Sequence, residues 1–252
     1  MTADTTAWTR RAVVLCAGQG RRLLPLTSRL PKALLELDEG RTVLDGVLAA
    51  LSAAGVLEAT LVVGHAAAEV SARRAAFEAD HGLFVELVDN PEHASRNNAY
   101  SLWLGLSASG GGALVVNGDT LFSPVAVRRL ATAPPAPLTL AVDTIKPLGE
   151  EEMKVVFGSD GSLTRISKAL DPRSAVGEYI GLARVDPGAA STVVGALERV
   201  WSRDGSLYYE DGFGEAAGDG LRVTMVEVGD LPWIEIDTPQ DLDRAKMMAW
   251  HS

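Results

Sequence analysis

The residues of this chain that are best suited to chemistry form a basic loop near the N-terminus. A short apolar run, 12–16, leads into Gly18-Gln19-Gly20-Arg21-Arg22, and Lys32 follows ten positions later. Glycines let backbone N–H groups approach an anion closely, and arginine and lysine side chains neutralise its charge. Residues 5–35 contain no acidic side chain, although the whole chain has a formal net charge of -10. The loop is therefore predicted to bind phosphate groups.

Two common phosphate-binding loops do not match this one. A Walker loop requires a Gly-Lys pair followed by Ser or Thr, and no such triplet occurs. The dinucleotide-binding fingerprint requires a third glycine, and Leu23 stands in that position. Glu36 and Asp38 lie near the spacing of a ribose-binding acid, but the missing glycine and the bulky Arg21-Arg22 pair argue against a dehydrogenase.

Two aspartates supply the second group of candidate residues. Asp119 ends the segment Asn117-Gly118-Asp119, directly after an apolar strand, where parallel sheets place their ligands. Asp237 directly precedes a predicted helix. Carboxylate oxygens suit Mg²⁺, which binds phosphate oxygens at the same time. Each aspartate also has an ordinary structural role available, in a turn or at a helix N-cap, so the residues alone leave both interpretations open.

Several segments of the chain resemble one enzyme family. The segment 15–27 is similar to the L-A-A-G-x-G-T-R-L-x-P-L-T loop of the nucleotidyltransferases that make nucleotide sugars and CDP-alcohols, and Pro31-Lys32 matches the P-K pair that follows it. The chain departs from this loop at Cys16, where alanine is usual, and at Arg21, where threonine is usual. The segment 97–102 resembles the N-N-x-Y-S-L of the phosphocholine cytidylyltransferase branch. Relatives in that branch act on 2-aminoethylphosphonate, other phosphonates and inositol phosphate.

The resemblance implies a role for each candidate residue. Arg22, Lys32, Asp119 and Asp237 are the expected catalytic residues: the two basic side chains neutralise the triphosphate of CTP, and the two aspartates hold Mg²⁺, since 235–241 matches the family's late metal-binding segment. Nucleotide contacts are expected from Leu15, Cys16, Ala17, Gly18, Gln19, Gly20, Arg21, Arg22, Asn98, Ser101 and Gly118. Acceptor contacts are expected from Lys154, Lys168, Glu178, Tyr209, Glu210 and Asp211.

The predicted activity is that of a cytidylyltransferase. CMP would pass from CTP to a small phosphate or phosphonate acceptor, such as phosphocholine, 2-aminoethylphosphonate or another phosphonate, with release of pyrophosphate. Aromatic rings with carboxylates suit an acceptor with an ammonium tail, whereas the lysines suit an anionic one, so the tail stays open. A sugar-1-phosphate nucleotidyltransferase using UTP or dTTP and a non-catalytic nucleotide-binding regulatory module are the alternatives. A glycosyltransferase would need a D-x-D motif, which Gly118-Asp119-Thr120 is not.

The composition of the chain indicates in which compartment the protein works and which classes of partner it avoids. The chain has 252 residues, of which 47% are hydrophobic, enough for a sizeable core. Neither a signal peptide within 1–11 nor an apolar run near the ~20 residues of a membrane span is visible. The single cysteine fits a reducing compartment, and the acidic balance argues against nucleic acid or membrane partners. We expect a soluble cytoplasmic protein, with a homodimer left open.

Alternating apolar runs and helix-period segments predict the elements that position these residues. The predicted fold is α/β: a Rossmann-like three-layer sandwich with a mostly parallel mixed sheet and a small β-rich acceptor-side subregion. One domain, 1–252, is expected, with a nucleotide-binding half at about 11–130 and an acceptor- and metal-binding half at about 138–252. The predicted strands are 12–16, 60–63, 84–88, 113–116, 138–144, 154–157, 162–166, 179–185 and 222–228, and the predicted helices are 43–54, 66–79, 98–107, 193–201 and 238–248.

Overall fold

The computed structural model describes residues 10–248 of the chain. Its strands are β1 (Arg11–Leu15), β2 (Glu36–Asp38), β3 (Arg41–Thr42), β4 (Glu58–Val63), β5 (Phe84–Asp89), β6 (Ala113–Asn117), β7 (Thr120–Phe122), β8 (Leu138–Asp143), β9 (Lys154–Phe157), β10 (Leu163–Ser167), β11 (Gly177–Val185), β12 (Val223–Glu227) and β13 (Trp233–Glu235). Its α-helices are α1 (Val43–Ala53), α2 (Ala67–His81), α3 (Asn98–Ser109), α4 (Pro124–Ala131), α5 (Ala190–Arg203), α6 (Tyr209–Gly218) and α7 (Pro239–Met247). Short 3₁₀ helices occur at Arg21–Leu23, Lys32–Leu34, Pro172–Ser174 and Pro187–Ala189.

A nine-stranded mixed sheet organises the fold. Seven of its strands follow the order β10-β9-β11-β6-β1-β4-β5, and β8 and β12 extend it beside β11. The neighbours β6, β1, β4 and β5 are parallel, whereas β11 runs antiparallel to β6, β8 and β9. The predicted α/β fold, with a largely parallel central sheet and a β-rich antiparallel region, is confirmed.

Helices cover both faces of this sheet. The central strand β1 is buried on both sides, so its side chains enter two different hydrophobic clusters. Val14 packs in the cluster that contains Leu48 of α1, and Val13 in the one that contains Leu102 of α3. A short apolar strand without alternation is typical of a parallel sheet buried on both faces. The three layers hold β1 rigidly, so the loop that follows it starts from a fixed point.

Strand pairing brings the candidate residues together from distant parts of the chain. Leu15, the last residue of β1, lies beside Asn117, the last residue of β6, and both strands end at the same edge of the sheet. Away from the main sheet, β7 pairs antiparallel with β13, with Thr120 opposite Glu235. The pairing continues one step further, where the N–H of Ile236 donates to the carbonyl of Asp119 at 2.9 Å. The loop after β13 therefore lies beside the loop after β6.

Several elements of the structure are absent from the prediction. The helices α4 and α6 were not predicted, and neither were the short strands β2, β3, β7 and β13. Three glycines within α6 lower its helix propensity, and strands of three residues are too short to show a period. The predicted strands and helices otherwise correspond to observed ones, with ends that differ by a few residues. Among residues 10–248, no helix is long and apolar enough to cross a membrane.

Candidate active site

Lys32 lies at the centre of the site, between two aspartates. Its ammonium nitrogen is 2.9 Å from Asp119 Oδ2 and 2.5 Å from Asp237 Oδ1. Arg22 reaches the other oxygen of Asp237, with an N–O distance of 2.7 Å. The four residues predicted to be catalytic are thus in one network. The lysine side chain is mostly buried, whereas that of Arg22 is largely exposed, so the arginine can turn toward a ligand.

Burial and charge act in opposite directions on Lys32. Burial alone would lower its pKa, but the charges of Asp119 and Asp237 and the hydrogen bonds to them raise the pKa above its usual value. The ammonium therefore stays charged at any physiological pH. Gly20 makes its position possible: this residue has φ +66°, and a Cβ there would lie 3.1 Å from the Cβ of Lys32. Glycine is thus favoured at 20 both by the backbone conformation and by the passing lysine stem.

Three carboxyl groups lie close together beside Lys32. Asp119, Glu235 and Asp237 each offer one oxygen within 4.8 Å of the others. Hard oxygen donors in this number fit Mg²⁺, which completes its shell with water and phosphate oxygens. Although the side chain of Glu235 reaches the cleft surface, desolvation by the surrounding walls and then the charges of Asp119 and Asp237 raise its pKa to about 7. Glu235 was not among the predicted site residues. It lies two positions before Asp237, and side chains two residues apart in an extended chain point to the same side.

Two cavities meet at this cluster. The smaller cavity, about 240 Å³, is lined by Leu15, Ala17, Gly18, His93, Arg96, Asn97, Asn98, Ser101, Asn117, Asp119 and Glu235. The larger cleft, about 880 Å³, is lined by Arg22, Asp143, Lys146, Glu151, Glu152, Lys168, Glu178, Gly229, Leu231, Pro232, Trp233, Ile234, Glu235, Asp237, Asp241, Asp243, Arg244, Met247 and Met248. Glu235 belongs to both walls, so a group near the three carboxylates can be reached from either side.

Residues predicted to contact the nucleotide fall into two groups. Leu15, Ala17, Gly18, Asn98 and Ser101 line the smaller cavity. The side-chain oxygens of Asn98 and Ser101 already accept hydrogen bonds, from the N–H of residue 209 at 3.0 Å and from the amide of residue 90 at 2.9 Å. These bonds fix the orientation of both side chains. The other predicted nucleotide contacts do not line this cavity, and they are Cys16, Gln19, Gly20, Arg21, Arg22 and Gly118.

Cys16 and Gly118 shape the floor of the loop. The thiol of Cys16 is buried, and desolvation, followed by the charge of Asp119, raises its pKa well above the usual value. A buried thiol of this kind packs as a small apolar group and is unreactive. A Cβ at Gly118 would lie 2.7 Å from the sulfur of Cys16 and 2.7 Å from the carbonyl oxygen of Leu15. The missing side chain at 118 therefore lets β6 end close against the start of the loop.

The residues predicted to bind the acceptor do not all reach the larger cleft. Lys168 and Glu178 line it, and the ammonium of Lys168 lies 5.6 Å from the ring centre of Tyr208. Lys154 is fully buried, and its ammonium donates to the carbonyls of Gly149, Glu150 and Glu152 at 2.9–3.0 Å. All three donors of this lysine are therefore already used, and they hold the loop 149–152 in shape.

The segment at the start of α6 also lies outside the larger cleft. The hydroxyl of Tyr209 is buried, 3.0 Å from Asn117 Oδ1 and 3.0 Å from the hydroxyl of Tyr179. Asp211 caps α6 by accepting from the N–H of Tyr208 at 2.8 Å. Glu210 is buried, and its Oε2 atom has no hydrogen-bond partner among residues 10–248. The prediction that these three residues contact the acceptor gains no direct support from this placement.

Glu210 should make the stability of the protein depend on pH. Desolvation raises the pKa of its carboxyl from 4.5 to about 8, so the folded state holds a proton that the unfolded state releases. The contribution of this carboxyl to the stability of the protein is therefore greatest below pH 4.5, and it is lost as the pH rises toward 8. At pH 5 the free energy of unfolding of Glu210→Gln should be close to that of the parent. At pH 9 it should exceed that of the parent by about 3–5 kcal/mol, because the parent must then bury a charged carboxylate or keep a proton at some cost.

Urea unfolding at the two pH values tests this expectation. Glu39→Gln, at an exposed position in the turn between β2 and β3, is the matched control and should change stability little at either pH. Parallel stability curves for the parent and Glu210→Gln across this pH range would contradict a buried, protonated carboxyl at 210.

Asp143, at the end of β8, organises the far end of the larger cleft. Its Oδ1 atom accepts from the N–H groups of Ile145 at 2.8 Å and Lys146 at 3.0 Å, and its Oδ2 atom accepts from the indole of Trp233 at 2.8 Å. These bonds offset the desolvation of the carboxylate and lower its pKa. Gly229 allows this arrangement, because a Cβ there would lie 2.2 Å from Asp143 Oδ1. None of these residues was predicted to form part of the site.

With this geometry, the chain can be compared with known proteins. MobA-like NTP transferase domains match it over residues 12–171, well over half of its length. The chain belongs to this family. The match covers the loop after β1, Lys32 and Asp119, whereas Asp237 lies outside it. The resemblance to the nucleotidyltransferases, and to their cytidylyltransferase branch, is confirmed.

Relatives of this NTP transferase domain include larger proteins. It is 33% identical over 255 aligned positions to a CMP-5'-(3-aminopropyl)phosphonate synthase of Streptomyces rubellomurinus, with 93% of the chain and 38% of that protein covered. It is 27% identical to a bifunctional IPC transferase and DIPP synthase of Aquifex aeolicus, with 93% of the chain and 50% of that protein covered. The chain thus spans about half or less of the length of these two relatives.

Solved structures with the same fold extend over nearly the whole chain. The inositol-1-phosphate CTP transferase of T. maritima superposes with a TM-score of 0.78 at 23% identity, covering 94% of this chain and 96% of the other. A CTP:phosphocholine cytidylyltransferase of Streptococcus pneumoniae superposes with a TM-score of 0.73 at 22% identity, covering 94% and 97%. At this level of identity the two superpositions establish the fold of the NTP transferase domain.

Proposed function

We propose that this NTP transferase domain is a cytidylyltransferase that transfers CMP from CTP to a small phosphonate or phosphate acceptor and releases pyrophosphate. The observation that carries the proposal is the position of Lys32, whose ammonium lies between Asp119 and Asp237 where the two cavities meet. Two substrates held in the two cavities would have their reacting groups at this junction. The family match and the cytidylyltransferases among the relatives support the same reaction class.

In this proposal the smaller cavity takes the nucleoside of CTP. Backbone groups of Leu15, Ala17 and Gly18 would contact the nucleotide, with Asn98 and Ser101 facing the polar edge of the base. The triphosphate would extend toward Lys32, with the exposed guanidinium of Arg22 turning from Asp237 to the phosphates. Asp119 and Asp237, with Glu235 beside them, would hold Mg²⁺, which supplies charge neutralisation at the phosphates when bound.

The acceptor would enter from the larger cleft. One of its phosphonate or phosphate oxygens attacks the α-phosphorus of CTP, a new P–O bond forms, and the bond to the leaving pyrophosphate breaks. The second pKa of a phosphate monoester is about 6, so a phosphate acceptor is largely dianionic at neutral pH and needs no general base. The protein's part is then to position the two substrates and to stabilise charge, as in other phosphoryl transfers. Lys168, on the cleft wall, is suited to the anionic end of the acceptor.

A substrate panel tests the proposal. The protein would be incubated with Mg²⁺, one of CTP, UTP, dTTP, ATP or GTP, and one of 2-aminoethylphosphonate, 3-aminopropylphosphonate, phosphocholine, a carboxylated phosphonate or glucose 1-phosphate, and pyrophosphate would be measured. We expect release with CTP and a phosphonate or phosphate acceptor. Release mainly with UTP or dTTP and the sugar phosphate would support the sugar-1-phosphate alternative instead. Nucleotide binding without release in any combination would indicate a regulatory module.

A further inference from the structure

The far end of the larger cleft holds a positive charge that belongs to the chain itself. The ammonium of Lys146 is 2.8 Å from Glu178 Oε2 and 3.5 Å from Glu152 Oε1. It also lies 5.2 Å from the ring centre of Trp233, within the range of a cation–π contact. Glu178, Glu152 and Trp233 together form what we call the ammonium subsite. Two carboxylates and an indole face are complementary to a primary ammonium group.

Apart from the carboxylate of Glu178, which pairs with Lys146, the walls of the ammonium subsite are held by contacts that do not involve the Lys146 side chain. Glu178 lies in β11 with a side chain only 8% exposed, between β8 and β9. Glu152 accepts from the N–H of Gly149 at 2.8 Å, in the loop that the buried Lys154 stabilises. Trp233 is held by its indole hydrogen bond to Asp143. The subsite is therefore preorganised and would keep its shape if the ammonium left.

The side chain of Lys146, in contrast, is free to leave. Its backbone N–H is bonded to Asp143, but its side chain is 42% exposed, and only the ammonium makes the contacts described above. Rotation about side-chain bonds suffices to withdraw it, on the nanosecond scale of exposed residues. Withdrawal without a replacement would leave the buried carboxylate of Glu178 unpaired, which is unfavourable. A second ammonium group is the replacement that the site favours.

We infer that the ammonium subsite binds the amine end of an amine-bearing acceptor, and that Lys146 occupies it as an internal competitor until that acceptor binds. The inference rests on the proposed function, because it assigns the amine end of the acceptor to the larger cleft. An acceptor with an amine displaces Lys146 and pairs with Glu178, whereas one with a neutral tail would have to leave the lysine in place. Selection for an ammonium tail then comes from Glu178, while Lys146 weakens the binding of that tail by competing for the same site.

A site that is occupied by one of the protein's own side chains binds its ligand more weakly. The apparent dissociation constant rises by the inverse of the fraction of molecules whose site is free. If Lys146 occupies the subsite about nine-tenths of the time, its removal should tighten amine binding roughly tenfold. A lysine that instead bound the phosphonate of the acceptor would have the opposite effect, because its loss would weaken binding of every acceptor.

Calorimetric binding and steady-state kinetics of Lys146→Met test the inference with a matched pair of ligands. In n-propylphosphonate a methyl group replaces the amine of 2-aminoethylphosphonate, and the two are otherwise alike in size. For Lys146→Met we expect Kd and KM for the amine to fall on the order of tenfold, with those for n-propylphosphonate changed less than about twofold. Arg173→Met, which removes a charge from a side chain 90% exposed and paired with Asp171, is the control and should match the parent.

A second variant separates the subsite from its occupant. Glu178→Gln should reduce the preference for 2-aminoethylphosphonate over n-propylphosphonate to less than about twofold, while thermal unfolding reports whether the fold is retained. Weaker binding of both ligands by Lys146→Met, or unchanged binding of the amine, would overturn the inference even if the protein releases pyrophosphate from CTP. If binding follows the expected pattern but no pyrophosphate is released, the proposed function fails and the ammonium subsite stands.

Discussion

Asp119→Asn should lower kcat/KM for pyrophosphate release by about 10³-fold, the upper end of the range expected when one preorganised electrostatic group in an active site is lost. Asparagine keeps the shape of the side chain but removes the negative charge at 119 from the three carboxyl groups that face one another at the junction of the cavities. It also removes one of the two charged partners of Lys32. The measurement is pyrophosphate release at a series of Mg²⁺ concentrations, with Mn²⁺ binding to the free protein followed by electron paramagnetic resonance.

The variant should weaken Mn²⁺ binding as well as turnover. Asp80→Asn is a suitable control, because this aspartate lies exposed on α2 and lines neither of the two cavities. It should leave turnover and Mn²⁺ binding unchanged. Full activity of Asp119→Asn, with an undisturbed thermal unfolding curve, would show that the carboxylate at 119 has no part in the reaction.

The location of the site could be predicted from the sequence because its parts follow strand ends. The apolar run before Gly18 and the one before Asp119 both indicate buried parallel strands, whose carboxyl ends share one edge of the sheet. For Asp237 the residues themselves left two interpretations open, a helix N-cap and a metal ligand, and only the resemblance to the nucleotidyltransferases favoured the metal ligand. In the structure Thr238, not Asp237, caps α7, with its hydroxyl accepting from the N–H of Asp241.

The residues that line the larger cleft were harder to predict from the sequence, for physical reasons. Trp233 and Glu235 reach the cleft because β13 pairs with β7, and pairing between two three-residue strands more than a hundred positions apart leaves no periodic signal. Lys154 looked available because lysine is rarely buried, yet three carbonyls of one loop satisfy its ammonium completely. A lysine that ends up inside the protein depends on a loop conformation that local sequence patterns do not encode.

The role of Lys32 can be separated from that of the aspartates by its opposite effect on metal binding. Lys32→Met keeps most of the buried stem that packs against Gly20 but removes the charge between Asp119 and Asp237. We expect kcat/KM to fall at least ~10²-fold, because the triphosphate loses a preorganised positive partner. In the free protein the carboxylates lose their internal cation, so Mn²⁺ should bind about tenfold more tightly, the reverse of the effect of Asp119→Asn.

The pair of variants therefore gives a result that simple damage to the site would not give. Both should slow pyrophosphate release, while the dissociation constant for Mn²⁺ falls in Lys32→Met and rises in Asp119→Asn. Lys32→Arg adds a third point: it keeps the charge, but its larger head group must fit between Asp119 and Asp237, which lie only 2.9 Å and 2.5 Å from the lysine nitrogen. It should bind Mn²⁺ as weakly as the parent and recover only part of the turnover. Equal loss of metal binding in all three variants would mean that Lys32 supports the shape of the cluster, and its assignment to the triphosphate would have to be withdrawn.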